Sequence, residues 1–266
     1  MSARLRHIAI VSDQYALLGR FYQAVFGMTT AADTRPERAV TVSDGYVGLN
    51  INPRKPGRPA GLDHFGLEVD DAAAACARLE RHAGAHFLER PSTRPFAGIS
   101  ANDPAGNVFD ISQAGMENRK SVYVEEARAS ARAVTHIAIR TLHAERLAEF
   151  YVDVFGLRLL ERAGDDGAFH LYDGRVSLVL VPWDIRAYEG GGIVRPSPDH
   201  IGFRVESLAA FREKLESVGD NNPHLRPLPL GRGAEGAARL KLLAQCRCGS
   251  FQLADPDGTL IDVAEG

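Results

Sequence analysis

Four histidines begin a repeated phrase in which histidine is followed by an apolar, a small and another apolar residue: His7-Ile-Ala-Ile, His64-Phe-Gly-Leu, His136-Ile-Ala-Ile and His200-Ile-Gly-Phe. A second phrase, Asp-Pro-x-Gly followed by three residues and a further aspartate, ends at Asp110 and again at Asp262. Two imidazoles and one carboxylate on one sheet face suit Fe(II), Mn(II) or a similar divalent ion, with coordination positions left open. A single strand histidine is more often a hydrogen-bonded structural residue, so the metal hypothesis depends on the repetition.

The strands around these histidines have two different faces. In the strand at His136 the two isoleucines share one face, and the histidine, Ala138 and Arg140 share the other. The apolar face must pack on helices, whereas the small residue beside each histidine leaves room for another group. An unpaired buried carboxylate is costly, so Asp110 and Asp262 need a cation or hydrogen-bond donors if they are buried.

The chain is a duplication. The second half follows the first at an offset of 129 residues at the first histidine, 136 at the second and 152 at the final aspartate. The second half therefore contains an insertion of 16 residues between about 219 and 249, which we interpret as a lid. A polar, charged stretch separates the halves. We predict domains at 1–114 and 133–266, joined by a linker at 115–132.

Each half divides again into two modules. A histidine strand, a helical pattern and short strands follow one another, which predicts βαβββ four times and an α+β fold. Helices are expected near 17–26, 72–83 and 208–218, each ended by a glycine: Gly27, Gly84 and Gly219. Asp44-Gly45 and Asp173-Gly174 are typical of two-residue hairpin turns.

The composition excludes several classes of protein. A chain of 266 residues favours two domains. A net charge of −3 provides no basic excess to neutralise nucleic acid, and no apolar run approaches the roughly 20 residues that span a bilayer. The three cysteines do not form a disulfide framework in a chain of this length. We expect a soluble cytoplasmic protein without a signal peptide, which binds neither nucleic acid nor a membrane.

These repeated phrases, with the Phe-Tyr…Phe-Gly helix end at Phe21–Gly27 and 150–156, resemble the vicinal oxygen chelate superfamily. This superfamily includes glyoxalases, fosfomycin- and bleomycin-resistance proteins and extradiol ring-cleaving dioxygenases. The resemblance implies that paired modules form two half-open mixed-sheet cups, each able to hold a divalent metal. It implies Fe(II), with Mn(II) or Zn(II) as alternatives. The ligands that it implies are His136, His200 and Asp262 in the C-terminal half, and His7, His64 and Asp110 as a second candidate site.

The chain departs from the family pattern in three ways. The acidic ligand is Asp in both halves, where the family commonly has Glu. The strands at 49–51 and 178–180 lack the fourth ligand of glyoxalase-like members, and three ligands favour the dioxygenase pattern. Against that reading, Gln252 stands where ring-cleaving members place a tyrosine, and residues 240–249 contain no histidine.

The two halves differ in their candidate catalytic and substrate-binding residues. Alignment of the two Asp-Gly turns sets His170 and Tyr172 against Thr41 and Ser43. If this face lines the cup, His170 and Tyr172 are candidate catalytic residues; alternatively, both pack near the rim with their polar ends in water.

Two arginines lie on the same strand faces as the histidines in the second half. Arg140 and Arg204 could hold an anionic substrate, or they could form salt bridges at the sheet edge. The first half has Val11 and Glu68 at these positions.

Three functions remain open. The leading hypothesis is an Fe(II) ring-cleaving dioxygenase that acts on a small catechol-like substrate in the C-terminal cup. The alternatives are a metal-dependent glyoxalase-like isomerase or lyase, and a non-catalytic resistance-type protein that binds a small molecule. A homo-oligomer is expected because paired cups in this family often associate.

Overall fold

The computed structural model describes residues 3–30, 39–90, 98–115, 132–160, 167–183, 197–231, 237, 240–241, 243–244 and 248–266. Residues 116–131 of the predicted linker at 115–132 and the Gly190–Gly192 segment lie outside these residues, as do 232–236, 238–239, 242 and 245–247 of the segment that contains the predicted insertion. The described α-helices are α1 (Tyr15–Phe26), α2 (Ala72–Leu79), α3 (Ala144–Phe155) and α4 (Leu208–Asn221). No helix among the described residues has the length and apolar character needed to cross a bilayer.

The strands form two mixed sheets, one in each half. The first half contains β1 (Arg4–Ser12), β2 (Thr29–Thr30), β3 (Val40–Ser43), β4 (Gly48–Pro53), β5 (Gly61–Val69), β6 (His86–Glu89), β7 (Ile99–Asn102) and β8 (Val108–Gln113). The second half contains β9 (Ala133–Thr141), β10 (Arg158–Leu159), β11 (Phe169–Tyr172), β12 (Ser177–Pro182), β13 (Ser197–Val205), β14 (Phe251–Ala254) and β15 (Leu260–Glu265). The strand orders are β2-β3-β4-β1-β5-β8-β7-β6 and β10-β11-β12-β9-β13-β15-β14. The predicted α+β fold with two mixed sheets is confirmed.

The βαβββ order holds in the first three modules. In the fourth, the described residues form two strands after α4, and an isolated bridge between Leu228 and Ala254 stands in place of the third.

Helix α1 ends at Gly27 as predicted, with φ of 70°. The prediction that Gly219 ends the last helix is wrong, because α4 continues to Asn221. A Cβ at Gly219 would lie 2.6 Å from Arg226 Cγ, so close packing accounts for this glycine.

Both predicted hairpin turns are present: the Asp44 amide donates to the Val47 carbonyl at 3.4 Å and the Asp173 amide to the Val176 carbonyl at 3.1 Å, although four residues separate the paired strand ends. Ser43 pairs with Gly48, and Tyr172 pairs with Ser177. The Asp44 side chain accepts hydrogen bonds from the Tyr46 and Val47 amides, which stabilises the longer loop.

Both turn aspartates also bind the opposite half. Asp44 Oδ2 accepts the Val134 amide at 2.7 Å, and Asp173 Oδ2 accepts the Leu5 amide at 2.7 Å.

A pair of buried tyrosine–aspartate hydrogen bonds also joins the halves. The Tyr22 hydroxyl on α1 donates to Asp255 Oδ2 at 3.0 Å, and the Tyr151 hydroxyl on α3 donates to Asp103 Oδ2 at 3.0 Å. Each tyrosine belongs to the repeated helix phrase of one half, and each aspartate begins the repeated turn phrase of the other. One apolar core therefore extends through both halves, with Phe26 stacked on Phe203 at 3.9 Å between ring centroids.

Replacement of Tyr22 by Phe should destabilise the protein more than replacement of Tyr151. The described hydrogen bonds give Asp255 Oδ2 the Tyr22 hydroxyl as its donor, whereas Asp103 Oδ2 also accepts from the Asn107 amide at 2.8 Å. Loss of the donor to a buried acceptor costs about 1–3 kcal/mol, so Tyr22→Phe should lower the free energy of unfolding by that amount. Urea denaturation of both variants measures the two losses in the free energy of unfolding. An equal or larger loss in Tyr151→Phe would contradict the prediction.

The stability difference between Asp255→Asn and wild type should depend on pH. Burial raises the pKa of Asp255 from 3.8 to about 6, although hydrogen bonds from Thr259 and Tyr22 oppose the shift. Between these values the folded protein binds the proton more tightly than the unfolded chain, so the free energy of unfolding falls as pH rises through this window. Asparagine does not titrate. The free energy of unfolding of the variant should therefore rise relative to that of wild type by at most about 1.4 kcal/mol per pH unit.

Urea denaturation from pH 4 to pH 7 measures this difference. Asp13→Asn removes an exposed carboxylate and serves as the control. A difference between Asp255→Asn and wild type that is constant over this range would contradict the assignment.

Candidate metal centre

The histidine strands lie side by side at the middle of each sheet. Strands β1 and β5 are antiparallel, as are β9 and β13, and each histidine faces a small residue across the pair. The cross-strand pairs are His7 with Gly66, His64 with Ala9, His136 with Gly202 and His200 with Ala138. The two imidazoles of each half meet edge to face, with ring centroids 5.6 Å apart in the first half and 5.2 Å apart in the second.

The residues opposite the histidines are small because the imidazoles occupy the space that a larger side chain would need. A Cβ at Gly66 would lie 1.9 Å from the His7 ring, and a Cβ at Gly202 would lie 1.9 Å from the His136 ring. Each phrase of histidine, apolar and small residue therefore supplies one imidazole and makes room for the imidazole of the neighbouring strand.

The repeated aspartates complete both clusters. Strand β8 runs parallel to β5 and sets Asp110 beside Gly66, and β15 runs parallel to β13 and sets Asp262 beside Gly202. In each half one atom from each of the two histidines and the aspartate lies within 4.8 Å of the others. Both residue sets implied by the sequence are thus brought together, and their donors fit a divalent ion because two imidazoles and one carboxylate are its common ligands.

Two further aspartates that were missed from sequence orient one histidine in each cluster. The strand registers skip Asp63 and Asp199, which lie at irregularities next to His64 and His200. Asp63 Oδ2 is 2.7 Å from His64 Nδ1, and Asp199 Oδ2 is 2.7 Å from His200 Nδ1. A carboxylate on one ring nitrogen directs the other nitrogen towards a metal. The Asp-His dipeptide in both strands is the signal that could have revealed this arrangement.

Ion pairs surround the carboxylate of the N-terminal cluster. Asp110 Oδ2 lies 3.3 Å from His64 Nε2, and Asp110 Oδ1 lies 3.2 Å from Arg90 Nη2. Burial lowers the pKa of His64, but hydrogen bonds to Asp110 and Asp63 outweigh it and raise this pKa to about 9. Burial raises the pKa of Asp110, and His64, His7 and Arg90 reverse that shift to a net lowering. The charges here are compensated by the protein itself.

The imidazoles of the C-terminal cluster have ring nitrogens available to a ligand. The buried Nε2 atoms of His136 and His200 have no hydrogen-bond partner among the described residues. Burial, followed by the proximity of His200 and His170, holds the pKa of His136 well below its usual value. Neutral imidazole is the form that binds a metal.

Neutral donors hold the carboxylate of this second cluster. Asp262 Oδ2 accepts the Cys248 and Gly249 amides at 2.6 and 2.7 Å. Asp262 Oδ1 accepts the Gln252 amide at 2.8 Å. Within the described part of the chain, no arginine, lysine or histidine forms an ion pair with Asp262. The second cup therefore joins a buried carboxylate, held by neutral donors, to two imidazoles, which favours a cation from outside the protein.

A cavity of about 260 Å³ opens onto the C-terminal cluster. Its lining includes His136, His170, Ser177, Cys248 and Asp262. In the first half the position aligned with His170 is Thr41, whose hydroxyl donates to Asn50 Oδ1 at 2.8 Å.

The other candidate residues lie away from this lining. The Tyr172 hydroxyl donates to the Gly174 carbonyl at 2.6 Å, and Arg158 lies over the tyrosine ring. Arg140 is buried, and its Nε donates to Asp199 Oδ1 at 2.8 Å, so it helps to hold the carboxylate that orients His200. Arg204 is exposed. Their catalytic and substrate-binding roles stay predictions.

The sequence of this chain matches the family model of the Glyoxalase/Bleomycin resistance protein/Dioxygenase superfamily at residues 4–111 and 133–263. The chain belongs to this superfamily. The uncharacterized protein YaeR of Escherichia coli K12 is 32% identical over 91 residues, which are 30% of this chain and 70% of that protein. Both matched segments contain a complete histidine–aspartate cluster, so the superfamily assignment covers both candidate metal sites.

Solved structures of this superfamily share the whole fold. The Mn(II)-bound glyoxalase from Novosphingobium aromaticivorans has a TM-score of 0.63 at 14% identity, over 99% of this chain and 83% of the other. The 2,3-dioxygenase LapB from Pseudomonas sp. KL28 has a TM-score of 0.64 at 15% identity, over 99% and 92%. Homoprotocatechuate 2,3-dioxygenase from Arthrobacter globiformis has a TM-score of 0.64 at 17% identity, over 99% and 79%. These likenesses extend across both halves of the chain.

Gly202→Ala should weaken metal binding, whereas Gly66→Ala should not. The new methyl group at residue 202 would displace the His136 imidazole, and the methyl group at residue 66 would displace that of His7. Both changes overpack a sheet and should cost a similar 1–3 kcal/mol, roughly. Metal titration of the two variants should show at least a tenfold loss of affinity for Gly202→Ala alone. Equal losses in both variants would contradict the assignment of the metal to the C-terminal cluster.

Proposed function

We propose that this protein is a divalent-metal-dependent enzyme that acts on a small molecule with two neighbouring oxygen atoms in the C-terminal cup. The reaction that we propose is extradiol ring cleavage with Fe(II). One observation carries the proposal: the buried Nε2 atoms of His136 and His200 lack a hydrogen-bond partner among the described residues and lie beside the Asp262 carboxylate. That donor set is the facial triad of non-haem Fe(II) oxygenases, which keeps coordination positions open.

The protein residues prepare this site before any substrate binds. Asp199 fixes His200 through Nδ1, and Gly202 gives the His136 ring its position. Cys248, Gly249 and Gln252 hold both oxygens of Asp262. When bound, the metal supplies Lewis acidity and positions for both substrate oxygens and a co-substrate. The cavity of about 260 Å³ suits a molecule with a single ring.

His170 is the proposed acid–base residue. Apart from His136, Asp262 and the Cys248 thiol, it is the titratable side chain among the described cavity-lining residues. It would take a proton from a substrate hydroxyl and return it to the product, for which an imidazole is suited near neutral pH. Tyr172 remains a weaker candidate, because its hydroxyl is bonded to the Gly174 carbonyl.

Isomerase or lyase chemistry is the second candidate. Ring-cleaving members place a tyrosine where this chain has Gln252, and the Gln252 amide is engaged by Asp262 Oδ1 at 2.8 Å. That amide has no proton to exchange with a substrate near neutral pH, which leaves His170 alone to move protons. A single base next to a Lewis acid is sufficient to transfer a proton between neighbouring carbon atoms.

Metal content and oxygen uptake test the proposal. Protein purified without oxygen and reconstituted with Fe(II) should hold one metal ion per chain and consume oxygen with at least one member of a catechol panel. Asp262→Ala should lose the metal and the activity, whereas Asp110→Ala, the matched change in the first half, should keep both. His170→Gln should keep the metal and lower kcat by about 10²- to 10⁴-fold.

The other outcomes are equally decisive. A metal-bound protein that consumes no oxygen but isomerises hemithioacetals of α-ketoaldehydes would replace the ring-cleavage proposal with the second candidate. A protein that takes up no Fe(II), Mn(II) or Zn(II) would overturn both and leave small-molecule binding without catalysis.

A further inference from the structure

The two halves contain nearly the same histidine–aspartate cluster but compensate its negative charge differently. The imidazole pairs have the same edge-to-face geometry, and each contains a ring packed against a glycine. The carboxylates are equally buried, with Asp110 2% and Asp262 1% exposed. The packing of the imidazoles and the burial of the carboxylates therefore do not distinguish the two clusters, whereas the contacts of the carboxylates do.

Arg90 is the distinguishing group in the first half. It follows strand β6, and its Nη2 atom lies 3.2 Å from Asp110 Oδ1 and 2.6 Å from Ser100 Oγ. Ser100 is the cross-strand neighbour of Asp110, so the hydroxyl holds the guanidinium directly beside the carboxylate. The arginine side chain is 38% exposed, so it keeps contact with solvent while it pairs with a buried carboxylate.

In the second half, the described cross-strand neighbour of the carboxylate carries no charge. Gln252 is the cross-strand neighbour of Asp262, as Ser100 is of Asp110. Its amide donates to Asp262 Oδ1 without adding a positive charge. A guanidinium neutralises a carboxylate and repels a second cation, whereas an amide orients a carboxylate and leaves its charge available.

We propose that Arg90 excludes metal from the N-terminal cluster, so that the protein binds one metal ion although it contains two complete ligand sets. The cluster of His7, His64 and Asp110 is a latent site that Arg90 closes. Removal of the guanidinium opens this site to the same divalent ions that the other half binds.

Metal titration in an Asp262→Ala background tests this proposal without the C-terminal site. Asp262→Ala alone should bind no Co(II) or Mn(II) tightly. Addition of Arg90→Gln, which replaces the guanidinium by an uncharged amide, should raise the affinity at least tenfold and produce one bound ion per chain. The same ion should raise the melting temperature of the double variant. A further Asp110→Ala change should abolish the gain.

Three controls separate the effect of charge from a general perturbation. Arg90→Lys keeps the positive charge and should show no gain, and Arg54→Gln removes an exposed arginine paired with Asp13 and should also show none. Arg90→Met keeps the apolar stem and should reproduce the gain if the glutamine variant folds poorly, as judged by circular dichroism.

Two results would overturn the proposal. One is a tightly bound ion that Asp262→Ala already holds and that Asp110→Ala removes. The other is the absence of any gain when Arg90 is replaced in a folded variant. Failure of the wild-type C-terminal cup to bind metal would overturn the proposed function but would not alter the result expected for Arg90.

Discussion

The structure of this protein depends on how the charge of its buried aspartates is compensated. A carboxylate that loses its water needs hydrogen-bond donors or a positive charge, because the uncompensated group costs several kcal/mol. Asp103 and Asp255 meet this need with a tyrosine hydroxyl from the opposite half, which ties the two sheets together. Asp110 and Asp262 meet it inside the cups. The same residue type thus accounts for the union of the halves and for the chemistry of the clusters.

Duplication explains why one chain contains two different solutions to this problem. Both halves inherited adjacent histidine strands, and the packing of His7 on Gly66 and of His136 on Gly202 preserves them. This packing is needed for a stable sheet whether or not a metal binds, because a larger residue would collide with the imidazole. The ligand pattern can therefore persist in a half whose carboxylate pairs with an arginine of the protein itself. The presence of the ligands alone does not identify the cluster that binds metal.

Local patterns in the sequence predicted much of the fold and the cluster residues. The alternation around His136 separated a core face from a cup face, and the repeated phrases located the strands that carry Asp110 and Asp262. The roles of Arg90 and of the Tyr22–Asp255 bond could not be predicted in this way, because each depends on which distant strands meet. The Gly219 prediction failed for a different reason: α4 continues to Asn221, and this glycine packs closely on Arg226 instead of ending the helix.

The position of the clusters at the centre of each sheet links stability to function. A histidine on a central strand is held by hydrogen-bonded neighbours on both sides, so its orientation is more precise than on an edge strand. The groups that differ between the halves, Arg90 and the 248–252 segment, approach from the periphery, where sequence changes cost less. Peripheral residues can therefore alter the charge of a cup while the central strands keep its geometry. Arg90, in the role proposed for it, and the donors of the 248–252 segment are the groups that distinguish two otherwise similar sites.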